Sequence, residues 1–123
     1  MKLSECPVRA TINVIDGKWK PMIINALKAG HLRFGSLLRE LPEATRKVAT
    51  EQLRELQEDG IVARNAFGKS WQRVEYSLTP QGTTLVPILT LMAEWGLELQ
   101  RRKLTSHPVV PSEALGENTG CPG

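Results

Sequence analysis

The sequence predicts a mainly helical α+β domain in which four helices lead into a β-hairpin and a long helix follows it. Three observations predict this. Apolar residues recur at helical spacing through the first 60 positions, alternation with a period of two takes over between positions 61 and 78, and helical spacing returns after Thr79-Pro80. A length of 123 residues suits one domain, and 41% hydrophobic with 24% charged residues is a balance that packs a core rather than leaving the chain disordered.

Pro7 opens the first helix, where Val8, Ile12 and Ile15 share a face, and Asp16-Gly17 closes it. A second helix is expected over residues 18–29, with Pro21 tolerated in its first turn, Trp19, Ile23, Ala26 and Leu27 as its buried stripe, and Gly30 at its end. Leu32-Arg33-Phe34 fits a short strand or a turn. A third helix begins with Ser36 as its cap and stops near Leu41, ahead of Pro42. The link Pro42-Glu43-Ala44 leads to Thr45, a good N-cap for a fourth helix over residues 46–59 that buries Ala49, Leu53 and Leu56. Residues 61–67 and 73–78 read as strands around a loop at 68–72, with Val74, Tyr76 and Leu78 on one face. Thr79 caps and Pro80 opens the last helix, which runs to about Lys103 with a bend at Pro87. Residues 1–104 therefore make the domain, and residues 105–123, rich in Pro, Gly, Ser and Thr, read as a flexible tail. Two helices joined by a tight turn and followed at once by a hairpin make a winged helix-turn-helix.

Charge is unevenly spread. All 16 lysines and arginines lie in the first 103 residues with 11 of the 13 acids, so a basic domain precedes an acidic tail, a distribution suited to an anionic partner. No apolar run approaches the roughly 20 residues that cross a bilayer, and the start lacks a signal-peptide core, so a cytoplasmic protein is expected. Two cysteines, Cys6 and Cys121, have no metal-ligand spacing and make no disulfide framework. With no nucleophile motif, no glycine-rich phosphate loop and only His31 and His107, the sequence points to no enzyme, no metal and no cofactor.

Seven segments in unbroken order resemble the HxlR-type regulators: Cys6-Pro7-Val8, Gly17-Lys18-Trp19-Lys20-Pro21, Arg33-Phe34-Gly35, Gln52-Leu53-Arg54-Glu55-Leu56, Asp59-Gly60, Val74-Glu75-Tyr76-Ser77-Leu78-Thr79 and Glu94-Trp95-Gly96. The resemblance covers about residues 5–100 and implies a dimeric winged-helix transcription factor related to the MarR group. Two departures fall where DNA would be touched. Trp71-Gln72 stands where members often carry prolines, and Thr45-Arg46-Lys47 where they often show Ser-Gln-Lys. No operator sequence carries over.

On this fold the fourth helix is the reading helix. A major groove admits a helix and displays a donor and acceptor code. With Ala49, Leu53 and Leu56 buried, Arg46, Lys47, Thr50 and Arg54 point elsewhere, the first three in the half that reaches base edges. Arg46 suits guanine or a phosphate, Lys47 a phosphate or a single base contact, and Thr50 a thymine methyl or a phosphate. Arg54 suits either DNA or an ion pair with Glu51, Glu55 or Glu58. Thr45 brings a helix end to a phosphate. Lys69 and Arg73 flank the wing tip, and Arg33 and Ser36 start the preceding helix; all four are candidate phosphate contacts. Trp71 is assigned to packing under the wing.

The last helix has more apolar surface than one small domain covers, with Ile88, Leu89, Met92, Trp95 and Leu99 prominent; Val8 and Ile12 add to it. A homodimer on a near-palindromic duplex is the expectation, and the resemblance implies the same terminal helices as its interface. Cys6, at a helix start with Arg9 within a turn, is a candidate low-pKa thiol. The resemblance implies that such a thiol senses oxidants or electrophiles; a partly buried structural cysteine is the alternative. A small-molecule effector between the dimer helices stays open. The competing function is a winged helix that binds protein or RNA, for which an apolar reading helix would be expected in place of Arg46 and Lys47. Repression is the default direction, since a small dimer without an activating domain acts by blocking polymerase.

Overall fold

The computed structural model describes residues 6–68 and 73–105. Its elements run α1 (Pro7–Ile15), α2 (Lys20–Leu27), β1 (Leu32–Arg33), α3 (Phe34–Arg39), α4 (Arg46–Glu58), β2 (Val62–Phe67), β3 (Arg73–Leu78), α5 (Pro80–Thr83) and α6 (Val86–Thr105). The three strands form one antiparallel sheet in the order β1-β3-β2. This is the winged helix-turn-helix that the element order predicts, with α3 and α4 as the helix pair and β2 and β3 as the wing.

Local chemistry sets most boundaries. The Thr45 hydroxyl oxygen accepts the Val48 N–H at 3.1 Å, so α4 starts where its cap predicts, and Asp59 and Gly60 close it, Gly60 at φ +74°. Thr79 accepts the Gly82 N–H at 2.9 Å and donates its hydroxyl proton to the Gly60 carbonyl at 2.6 Å, which ties the end of α4 to the start of α5.

Three boundaries differ from the sequence expectation. Helix α2 starts at Lys20 rather than at residue 18, because the Trp19 N–H is drawn off to the Gln52 side chain and the chain bends there. Helix α3 starts at Phe34, so Ser36 lies inside it and does not cap it. The reason is β1: Leu32 and Arg33 pair with Tyr76 and Glu75, and the strand runs directly into the helix. The last helix is two helices, not one bent one. Pro87 has no N–H for the Thr83 carbonyl and its ring would strike it, so the chain breaks at residues 84–85 and restarts with Pro87 in the first turn of α6.

The core lies between α2, α3, α4 and the inner sheet face. Ile23, Ile24, Leu27, Leu37, Leu41, Leu53 and Leu56 are its largest fully buried side chains, joined by Trp19, Ala49, Ile61, Val62, Tyr76 and Leu85. Full burial is worth about 1.5–3 kcal/mol for each such aliphatic residue, so this set dominates stability. The predicted faces of α4 and β3 hold; on α2, Ile24 is buried and Ala26 only partly so.

Candidate nucleic-acid interface

Burial of Ala49, Leu53 and Leu56 turns the rest of α4 outward. Thr45, Arg46, Lys47, Thr50 and Arg54 are all exposed. Arg46 and Lys47 hold the first two helical positions, with no acid in the first turn; the helix's acids begin at Glu51. Cations at this end oppose the helix dipole, at a cost of roughly 0.3–1 kcal/mol each. Helix stability alone would favour Asp or Glu there. What the arrangement gains is positive charge beside the free N–H groups of a helix start, the geometry that receives phosphate.

Arg46 is braced as well as exposed. Its guanidinium lies 5.3 Å from the centroid of the Phe34 ring, which packs at 6.5 Å against the ring of Tyr76 on β3. The start of α3, the sheet and the tip of α4 are thereby fixed to one another. Arg33 is exposed at the head of α3, while Ser36 is only partly accessible.

On the wing, Arg73 is exposed and held. Its Nη2 and Nε both donate to Oε2 of Glu75 at 2.6 Å, and His31 Nδ1 lies 3.7 Å from the other carboxylate oxygen. Lys69 and Trp71 lie outside the described residues. Among the described residues Arg54 makes no ion pair; Glu55, one of its three candidate partners, instead meets Lys20 of α2.

A second surface lies on the terminal helices. Val8, Ile12, Ile88, Met92, Trp95 and Leu99 are exposed, Trp95 at 70%, as are Leu91, Leu97 and Met22, which the sequence reading did not single out. Leu89 corrects the expectation: it is partly buried and packs against the monomer core. Pro21, Met22, Asn25, Leu89, Met92 and Ala93 line a mostly apolar groove of about 280 Å³ between α2 and α6.

Cys6 is buried at the head of α1 and disulfide-bonded, so in this state it is no thiolate. Cys121 lies outside the described residues, as does His107. Among the described residues no group of three or more His, Cys, Asp or Glu side chains is placed to hold a metal, and no helix is long and apolar enough to cross a membrane.

The sequence reading missed the contacts that hold the site: Arg46 on Phe34, Arg73 on Glu75, and α4 on the bend before α2. Only the Arg73–Glu75 pair had a signal, since residues two apart on a strand share a face.

Comparison with known proteins agrees with this geometry. A family model described as HxlR-like helix-turn-helix matches residues 14–104. A relative named "uncharacterized HTH-type transcriptional regulator YybR", from Bacillus subtilis (strain 168), is 45% identical over 102 residues, spanning 83% of this chain and 81% of its own. Among solved structures, the redox regulator HypR in its reduced form superposes with a TM-score of 0.74 at 44% identity, covering 82% of this chain and 99% of that one. Its oxidised form gives 0.70 at 45% identity, covering 76% and 96%.

Proposed function

The chain belongs to the HxlR-like helix-turn-helix family of transcription regulators, and from that membership and the geometry of α4 we propose that it represses transcription as a cytoplasmic homodimer on a near-palindromic duplex. The single observation that carries this is the exposed first turn of α4, where Arg46 and Lys47 are kept at an electrostatic cost. In this reading Arg46, Lys47 and Thr50 enter the major groove, while Thr45, Arg33, Arg73 and Lys69 meet backbone phosphates. The protein performs no catalytic step; it competes with polymerase for a stretch of duplex.

Thiol chemistry adjusts that competition. Cys6 stands at the head of α1, beside the exposed apolar surface of the terminal helices, and the similar HypR is a redox regulator solved in two oxidation states. Reduction of the Cys6 disulfide changes how α1 is held, and with it the spacing of two reading helices across a dimer. The small-molecule alternative would use the same helices.

The test is duplex selection from a randomised pool, followed by affinity measurements over a range of salt. The wild type is expected to enrich an inverted repeat. Arg46→Ala should lose about 1–3 kcal/mol of binding and relax one position in each half-site, whereas Lys47→Ala should weaken all duplexes alike and reduce the salt slope by about one. Unchanged binding in both variants would refute the assignment. Operator affinity that is the same for oxidised and reduced protein, and for Cys6→Ser, would remove the thiol response alone.

A further inference from the structure

Lys20 is the one buried charged side chain among the described residues, 4% exposed. It sits at the first position of α2, where the helix dipole disfavours a cation, and its Nζ lies 2.5 Å from Oε1 of Glu55 on α4. One turn earlier on α4, Gln52 Oε1 accepts the Trp19 N–H at 2.9 Å. Gly17 completes the arrangement, since a Cβ there would come within 3.0 Å of Gln52 Oε1 and 3.1 Å of Lys20 Cγ. The bend at residues 17–20 thus grips α4 at two points a turn apart.

Apart from Arg46 on the Phe34 ring at its head and the Thr79 hydroxyl on the Gly60 carbonyl just past its end, the remaining hold on the body of α4 is apolar, through Ala49, Leu53 and Leu56. Apolar contact is non-directional and resists rolling or sliding weakly. A roll of roughly 20° moves side-chain tips on a helix by about 2 Å, beyond the tolerance of a hydrogen bond to a base edge. Two directional contacts remove that freedom. As a stabiliser the ion pair is a poor choice, because an apolar side chain in place of a buried lysine is often neutral or better.

We propose that the Lys20–Glu55 pair and the Gln52–Trp19 hydrogen bond are the positioning device that sets the roll of α4 and hence its discrimination between duplexes. This rests on the DNA-binding reading above. The hydrogen bond from Lys20, and then the lysine's charge, lower the pKa of Glu55 and favour its carboxylate form.

Lys20→Met keeps the length and burial of the side chain and leaves Glu55, half-exposed, free to hydrate. Affinity is measured for a duplex selected by the wild type and for a random duplex of equal length, at one salt concentration. Lys20→Met is expected to bind the random duplex as the wild type does and to lose about tenfold in the ratio of selected to random affinity, with its melting temperature within a few degrees of the wild type. Glu55→Gln, which keeps an acceptor oxygen, should move the same way by less, and it decides the matter if Lys20→Met does not fold. An unchanged ratio in folded variants, or an equal loss on both duplexes, overturns the positioning role while leaving DNA binding intact. A wild type that does not distinguish the duplexes at all takes both readings down.

Discussion

At the scale of single residues, two cations of the proposed DNA-binding surface already have an internal contact. Arg46 rests on Phe34, and Arg73 is bound twice by Glu75. Such contacts restrict long side chains before binding, which reduces the entropy lost on docking. Glu75 also sets a negative charge where the proposed reading brings a DNA backbone to the wing. Glu75→Gln should therefore raise affinity for random duplex by roughly threefold to tenfold at low salt and by less at high salt, which fluorescence anisotropy would measure; no change would mean that the carboxylate does not restrain Arg73. The Lys20–Glu55 pair has its own signature in acid. Its folded-state Glu55 pKa lies below the ordinary 4.5, so the pair contributes stability above the unfolded value and loses it as pH falls through the folded one. The stability of the wild type relative to Lys20→Met should accordingly fall as pH is lowered from about 6 to about 3. Urea unfolding at each pH checks this, and a constant difference would show that the pair does not couple to folding.

At the scale of elements, what decides legibility is whether a boundary is set by neighbours in sequence or in space. Helix α4 was legible to within a residue because Thr45 caps it locally and its three buried side chains repeat at helical spacing. The outward site residues followed by subtraction, and all the described ones except Ser36 are exposed. The start of α2 was not legible, because its determinant, Gln52, lies 33 residues away. The start of α3 depends on β1 pairing with β3, which a two-residue strand does not announce. The break before α6 follows from Pro87, read correctly as a disturbance but resolved as a restart rather than a bend. Gly82 shows how tightly α5 is placed. A Cβ there would fall 2.2 Å from the Ile61 carbonyl oxygen, a backbone atom that cannot move aside cheaply. Gly82→Ala should then destabilise the domain by at least about 1–3 kcal/mol, as overpacking does. Thr45→Ala should cost about 1 kcal/mol through the lost cap. Thermal melts that rank the two in the reverse order would contradict the close approach of α5 to the end of α4.

At the scale of the whole molecule, the two proposed tasks fall on opposite kinds of surface. Cations gather at the head of α4 and on the wing, and exposed apolar side chains gather on α1 and α6. Helix α2 lies between them, packed against α4 through the core and against α6 beside the apolar groove. A proposed partner seated on α6 would therefore be in mechanical contact, through α2 and its Lys20, with the roll of the reading helix. Trp95 gives the sharpest test of this division. At 70% exposure it contributes little to the monomer core, so Trp95→Glu should leave the circular dichroism spectrum and the fold intact. A carboxylate in the middle of a desolvated face would nevertheless cost several kcal/mol per dimer. Sedimentation equilibrium should show the wild type as a dimer and Trp95→Glu as a monomer. Affinity for the selected duplex should fall by about a hundredfold or more, because a single reading helix and wing must then hold a half-site unaided. A Trp95→Glu protein that stays dimeric and binds normally would mean that the copies meet elsewhere. A monomeric variant that still binds the full site as tightly as the wild type would mean that pairing on α6 does not align the two reading helices.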